Sequence, residues 1–94
     1  MATKQELLDE LSIKIETIAF KYENAFKASD KNLKFFFEDN GNQIRKEIAS
    51  ESTNTLHNGI LNNLASDQDF TQKVLELNYL GAFRLYEKLV NLSK

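Results

Sequence analysis

The sequence contains no cysteine and only one histidine, His57. Without cysteine there is no disulfide, no thiolate-bound zinc or iron–sulfur cluster and no cysteine nucleophile. One histidine also excludes a metal site built from several histidines of the same chain. Acidic residues lack the spacing of a calcium loop or of a carboxylate-bridged metal bundle. We therefore expect neither a metal ion nor a cofactor.

Residues that break or avoid helices are also scarce. The chain has no proline, three glycines and two valines against thirteen leucines, which favours helices and suits a sheet poorly. Apolar residues make up 41% and charged residues 28% of the 94 positions, a composition typical of globular proteins. Because two domains would each be too small to bury a core, we expect a single domain, 1–94.

Strong net charge and long apolar runs are absent too. A net charge of −2 gives no general attraction for nucleic acid or an anionic membrane. Apolar runs stop at triplets such as Phe35–Phe37, far short of a membrane span, and the first ten residues do not resemble a signal peptide. These features predict a cytoplasmic protein. The frequent Asn, Lys, Ile and Phe are typical of AT-rich genomes and suggest a bacterial or phage source.

The first helix is the clearest element. Thr3 and Glu6 form a capping-box pattern, and apolar residues at helical spacing then predict a helix from about Lys4 to Ala28. Ile13 and Phe20 lie seven residues apart on the opposite side of this helix. A helix that contacts one neighbour would not need this second apolar line.

The middle of the chain predicts two helices separated by a turn. A short Phe-rich helix spans 31–39, Asn40-Gly41-Asn42 is the strongest turn signal, and a longer helix spans about 43–64. The residues 50–55 are poor helix formers, and whether they break this helix stays open. The residues 52–66 carry no formal charge, which predicts a stretch that is either covered or mobile.

A last helix follows the capping signal of Ser66 to Asp69 and runs from Asp69 or Phe70 to about Leu92. Apolar residues cover most of its circumference, which favours a central or shared helix. Gly81 in its middle predicts a close crossing with a neighbour. The fold class is therefore all-α: a small helical bundle of three long helices plus one short Phe-rich helix, packed antiparallel.

One polar helix face could form a ligand site. Asn54, His57, Asn58 and Asn62 recur at spacings of three and four, which would line a polar pocket for a metabolite or nucleotide. No carboxylate on this face fixes a histidine tautomer, so His57 is poorly placed to act as a general base. Nothing in the sequence supplies both a base and a group that stabilises developing charge. We expect no catalytic residues and no enzymatic activity.

DNA binding is a further alternative. Ile48 and Ala49 could open the first helix of a helix-turn-helix whose second helix presents Asn54 and His57. Thr53 stands where such a turn usually has glycine, and the second helix has no Arg or Lys for phosphates. The sequence therefore argues against nucleic acid as a partner, and the mixed charges of the first helix argue against a membrane surface.

Surplus apolar residues carry the preferred hypothesis. Adjacent helical positions diverge by about 100°, so Phe36 and Phe37 cannot both face one core squarely. Such residues are either embedded among other helices or form an interface, and aromatic residues dominate interfaces. We predict a non-enzymatic protein–protein interaction module, a homodimer that acts as a regulator, inhibitor or assembly factor. The predicted interface residues are Ile13, Phe20, Phe35, Phe36, Leu80 and Phe83.

Overall fold

The computed structural model describes residues 2–94, and this part of the chain consists of three α-helices without a strand. They are α1 (Lys4–Ala28), α2 (Leu33–Leu61) and α3 (Gln68–Leu92). Each helix contacts the other two, in a bundle with dimensions of 47 × 18 × 17 Å. The prediction of an all-α helical bundle is confirmed.

The N-termini of α1 and α3 are capped as the sequence predicts. Thr3 Oγ1 accepts a hydrogen bond from the backbone N–H of Glu6, and the Glu6 carboxylate accepts one from the N–H of Thr3. At α3, Asp67 Oδ1 accepts from the N–H of Phe70 at 2.9 Å. Capping of this kind satisfies N–H groups that have no partner in the first turn. The predicted bounds of α1 are confirmed, and α3 begins at Gln68, one or two residues earlier than predicted.

The Phe-rich helix is not a separate element, because α2 continues through the predicted turn. Asn40 Nδ2 donates to the carbonyl of Phe36 one turn earlier at 3.1 Å, and Gly41 is buried within the helix. The ring of Phe36 packs edge-on against Phe26 of α1 with centroids 5.1 Å apart. Asn and Gly permit a turn but do not require one, and aromatic packing holds the first turns of α2 in place. The predicted turn at 40–42 is wrong.

Residues 50–55 do not interrupt α2 either. Ser52 and Thr55 are buried, and each hydroxyl lies 3.0 Å from the carbonyl four residues earlier. Such side-chain bonds keep small hydroxyl residues inside a helix. The uncharged stretch 52–66 is covered in part: Ser52, Thr55 and Gly59 are buried, and Leu56 and Leu64 are half-buried against the core. The helix ends at Leu61, and Asn63 follows with a φ of 63°, in the left-handed region that Asn tolerates.

The core lies along the common axis of the bundle. Its fully buried side chains include Leu11 of α1, Ile44 and Ile48 of α2, and Phe70, Val74, Leu85 and Leu89 of α3. Two glycines permit close helix contacts. A Cβ atom at Gly59 would lie 2.4 Å from the Phe70 ring, and one at Gly81 would lie 2.4 Å from Ile15 Cγ2. The predicted close crossing at Gly81 is therefore confirmed.

Candidate interaction surface

A groove with a volume of about 570 Å³ lies between α1 and α3. Its apolar lining includes Ile15 and Ala19 of α1, and Leu77 and Leu85 of α3. Gly81 also lines the groove, where its missing side chain lets Ile15 approach the backbone of α3. The floor of the groove is therefore formed by side chains that also pack in the bundle.

Three contacts relate α1 to α3 along the length of the two helices. Lys4 Nζ lies 2.7 Å from Asp69 Oδ2 at the N-terminal end of both helices, outside the groove. Ile15 contacts Gly81 in the middle, and Glu23 lies 3.4 Å from Lys88 Nζ at the other end. Because the residue numbers rise together on both helices, α1 and α3 share one direction. A residue of α1 lies level with the residue of α3 whose number is 65 or 66 higher.

Large apolar side chains also line the groove and remain open to solvent. Ile13 and Phe20 on α1 are 63% and 65% exposed, and Leu80 on α3 is 44% exposed. Ile13 and Phe20 are the line that lies outside the core-facing stripe of α1. Contiguous exposed apolar groups are a feature of interaction sites rather than of inert surfaces. The structure thus brings together three of the six residues that the sequence predicted for an interface.

The charged residues that line the groove differ in sign from one helix to the other. Glu16 and Glu23 come from α1, whereas Arg84 and Lys88 come from α3. Within residues 2–94, Glu23 is paired with Lys88, while Glu16 and Arg84 have no ion-pair partner. The sequence prediction missed these residues. The spacing of seven between the two glutamates and of four between Arg84 and Lys88 is the signal that places each pair on one helix face.

The other predicted interface residues do not join this groove. Phe36 is only 2% exposed and belongs to the core, so its assignment to an interface was wrong. Packing of α2 against α1 buries it, because the Phe segment is part of a long helix and not a separate short one. Phe35 is exposed on α2, and Phe83 lines a second, shallower groove with Tyr86 and Val90. Phe20, Phe35 and Phe83 therefore mark three different surfaces.

The predicted polar face on α2 lines neither groove. Asn62 holds the N-terminal segment, since its Oδ1 accepts from the N–H of Ala2 at 2.9 Å and its Nδ2 donates to the Asn58 carbonyl at 2.7 Å. Asn54 and His57 are exposed. The helix-turn-helix hypothesis is wrong in its geometry, because α2 is continuous where the turn at Thr53 was expected.

A polar cluster between α1 and α2 was also missed. The Tyr22 hydroxyl donates a hydrogen bond to Glu47, and Lys21 Nζ lies 2.7 Å from the same carboxylate. Burial and this hydrogen bond raise the pKa of Tyr22 to about 12. The hydrogen bonds from Lys21 and Tyr22 lower the pKa of Glu47. The cluster satisfies the polar end of a buried tyrosine and lines neither groove.

None of the helices in residues 2–94 has an apolar stretch long enough to cross a bilayer. The same residues contain no group of three or more His, Asp or Glu side chains placed to share a metal ion. Comparisons with protein-family models, curated proteins and solved structures found no match. The groove between α1 and α3 is the best candidate functional site of this chain.

Proposed function

We propose that the protein is a non-enzymatic protein–protein interaction module that uses the groove between α1 and α3 as its contact surface. The observation that carries the proposal is the exposure of Ile13, Phe20 and Leu80 around one apolar groove. Transferring such side chains from water to an interface supplies a driving force of about 25 cal/mol per Å² of apolar area. A regulator, an inhibitor and an assembly factor all need such a surface.

Organisation and location form part of the same proposal. The chain is a single domain in which successive helices run antiparallel. This is supported by the ion pairs of Lys14 with Glu51 and of Lys21 with Glu47, where the number rises on α1 and falls on α2. The cytoplasm of a bacterial or phage-infected cell is its proposed location, on the evidence of composition alone.

A photo-crosslinking phenylalanine analogue at position 20 tests the proposal. On irradiation of the purified protein and of cells that produce it, position 20 is expected to form an adduct with a second polypeptide, because its side chain lies in the contact surface. The same analogue at position 35 is the matched control, since Phe35 is similarly exposed, at 52% against 65%, but lies away from the groove.

Substitution of the same residues gives the second measurement. Phe20→Asp is expected to abolish the adducts formed from a second crosslinking position at Thr17, which also lines the groove, whereas Phe35→Asp leaves them unchanged. Circular dichroism confirms that both variants stay helical. Equal adduct yields from positions 20 and 35, with no effect of Phe20→Asp, would show that the groove is not an interaction surface.

A further inference from the structure

We infer that the partner at this groove is a second copy of the same chain, related by a two-fold axis that runs along the groove. The inference rests on the proposed function and specifies its partner. In this arrangement α1 of each copy lies against α3 of the other, and the four helices form a bundle. A two-fold interface uses the same patch on both copies, so the patch must be complementary to itself.

The charges around the groove meet that requirement. Rotation about an axis along the groove places the α1 side of one copy over the α3 side of the other. The position of each residue along the helix axis stays the same. The α1 side of one copy, with Glu16 and Glu23, then faces the α3 side of the other, with Arg84 and Lys88. Measured along the helix axis, the positions of Glu16 and Arg84 differ by about 4 Å. The two side chains are long enough to span this offset. Each of the two unpaired charges thereby gains an opposite charge, twice per dimer.

The apolar groups are matched by the same operation. Ile13 lies one or two residues from the level of Leu80, so each Ile13 meets a Leu80 of the second copy. Phe20 lies at a level between Arg84 and Lys88, where its ring contacts their long side chains and attracts their charges. The exposed apolar residues of the groove are therefore covered without a partner of another sequence.

A two-fold axis across the groove is disfavoured by the same charges. That rotation would place α1 against α1 and α3 against α3. Glu16 and Glu23 would then face an acidic surface, and Arg84 and Lys88 a basic one. Like charges across an interface cost free energy and exclude wrong arrangements. Self-complementarity of charge therefore selects the axis along the groove.

The face is large enough for a dimer. A helix of 25 residues is about 37 Å long, and the bundle is 18 Å wide. The face formed by α1 and α3 thus has a flat area of roughly 650 Å² per copy, at the lower end of the range for stable interfaces. The net charge of −2 per chain gives little long-range repulsion between two copies.

Charge reversal tests the arrangement through the dimer dissociation constant, measured by sedimentation or light scattering. Glu16→Arg and Arg84→Glu are each expected to raise this constant at least tenfold, because each variant creates two like-charge contacts per dimer. An equimolar mixture of the two variants is expected to form a heterodimer with a constant within about threefold of the parent value. In that mixture every contact at these positions again joins opposite charges.

Two variants serve as matched controls. Glu38→Arg and Lys46→Glu change the net charge by the same amounts at exposed positions of α2, away from the groove. Both are expected to dimerise like the parent protein. The inferred axis is wrong if the two groove variants also dimerise like the parent protein. It is also wrong if their mixture is the only sample that dimerises more tightly than the parent. In either case Glu16 of one copy does not meet Arg84 of the other in the parent dimer.

The absence of cysteine allows a geometric test with single-cysteine chains. A chain with Ile13→Cys, mixed in equal amount with a differently tagged chain with Leu80→Cys, is expected to form the mixed disulfide in clearly more than the twofold excess over either homodimeric disulfide that random pairing gives. An excess of the 13–13 and 80–80 products would overturn the axis. If the protein is a monomer at every concentration and position 20 forms adducts with another protein, the partner is not a second copy of the chain. The proposed function would then stand without this inference.

Discussion

The substitution Gly59→Ala is expected to destabilise the protein, although alanine is the better helix former. Gly59 lies inside α2 and has no positive φ, so an alanine fits the backbone conformation there. A Cβ atom would, however, lie 2.4 Å from Cε2 and 2.9 Å from Cζ of Phe70. Phe70 is only 1% exposed, so its ring is enclosed by the core and cannot swing out into solvent. Either α2 or α3 must therefore move.

Two opposing contributions set the magnitude. The change from glycine to alanine in a helix interior is worth about 1 kcal/mol in favour of the folded state. Overpacking of a filled core by one carbon costs about 1–3 kcal/mol. Because the contact is with a buried ring and not with a flexible chain end, we expect a net loss of about 1–2 kcal/mol. For a domain of this size the melting temperature then falls by roughly 5–10 °C.

Gly41→Ala is the matched control in the same helix. A Cβ atom at Gly41 would meet only the Arg45 guanidinium, at 3.8 Å, which is an ordinary contact. The helix propensity should therefore dominate, and the melting temperature should rise by roughly 4–8 °C. Thermal and urea unfolding followed by circular dichroism measure both variants. Since the inferred dimer would add a concentration-dependent stabilisation, all variants are compared at one protein concentration.

A double-mutant cycle identifies the contact responsible. Phe70→Leu removes ring atoms, so Gly59→Ala should cost less in its presence, with a coupling of about 1 kcal/mol. The reasoning is refuted if Gly59→Ala stabilises the protein as much as Gly41→Ala does. It is also refuted if the two changes at positions 59 and 70 are additive, because the loss would then arise elsewhere.

Three further outcomes follow from the polar contacts of the bundle. The pKa of Tyr22 is raised from 10.0 to about 12 in the folded state, so its contribution to stability is complete below pH 10 and is lost as pH rises from 10 to about 12; absorbance titration should show Tyr22 ionising late, and Tyr22→Phe should remove the alkaline transition. The pKa of Glu47 is lowered from 4.5 by its hydrogen bonds with Lys21 and Tyr22. Its contribution to stability is therefore complete above pH 4.5 and is lost as pH falls through the lower pKa of the folded state. Glu47→Gln should flatten this part of an acid unfolding curve, and an unchanged curve would contradict the assignment. Asp67→Ala should lower the melting temperature more than Asp67→Asn, because asparagine keeps an oxygen that accepts from the N–H of Phe70, and equal losses would show that the cap bond is unimportant.

Local signals predicted the outer helices well. The capping box at Thr3 and Glu6 and the apolar stripe that follows contain all the information needed to place α1. The close crossing at Gly81 followed from a simple argument, since a glycine inside a helix needs a packing reason. These predictions succeeded because each depends on residues within a few turns of one another.

The continuity of α2 depends on a contact with α1 and on side-chain bonds within the helix, and the sequence alone did not reveal it. The segment 40–42 has a turn composition, and 50–55 has low helix propensity. Both are nevertheless helical because Phe36 packs on Phe26 and because Ser52 and Thr55 bond to the preceding turn. Tertiary contacts and local side-chain bonds together override weak propensity here. The turn at 40–42 was therefore predicted where none exists, and the question left open at 50–55 is answered by a continuous helix.

The candidate site was predicted in part, for a similar reason. Ile13 and Phe20 could be identified because they lie outside the apolar stripe of their own helix. Their neighbour across the groove, Leu80, could be assigned to an exposed side of the last helix by the same reasoning. Which exposed apolar residues of α1 and α3 lie next to each other depends on how the two helices pack. Helical periodicity does not predict this packing. Phe36 was misassigned because its burial depends on packing against another helix, where its contact Phe26 lies 10 residues earlier in the sequence.

The groove and the stability of the bundle are linked through Gly81. The absence of a side chain there brings Ile15 against α3, and this contact sets the distance between the two helices that form the groove. A wider separation would let water reach the core beside Leu85, whereas the present one keeps Leu85 buried and leaves Ile13, Phe20 and Leu80 outside. The same contact that closes the three-helix core therefore leaves these apolar groups exposed on one face. Their exposure is a consequence of close packing between α1 and α3, and covering them requires a surface from outside the chain.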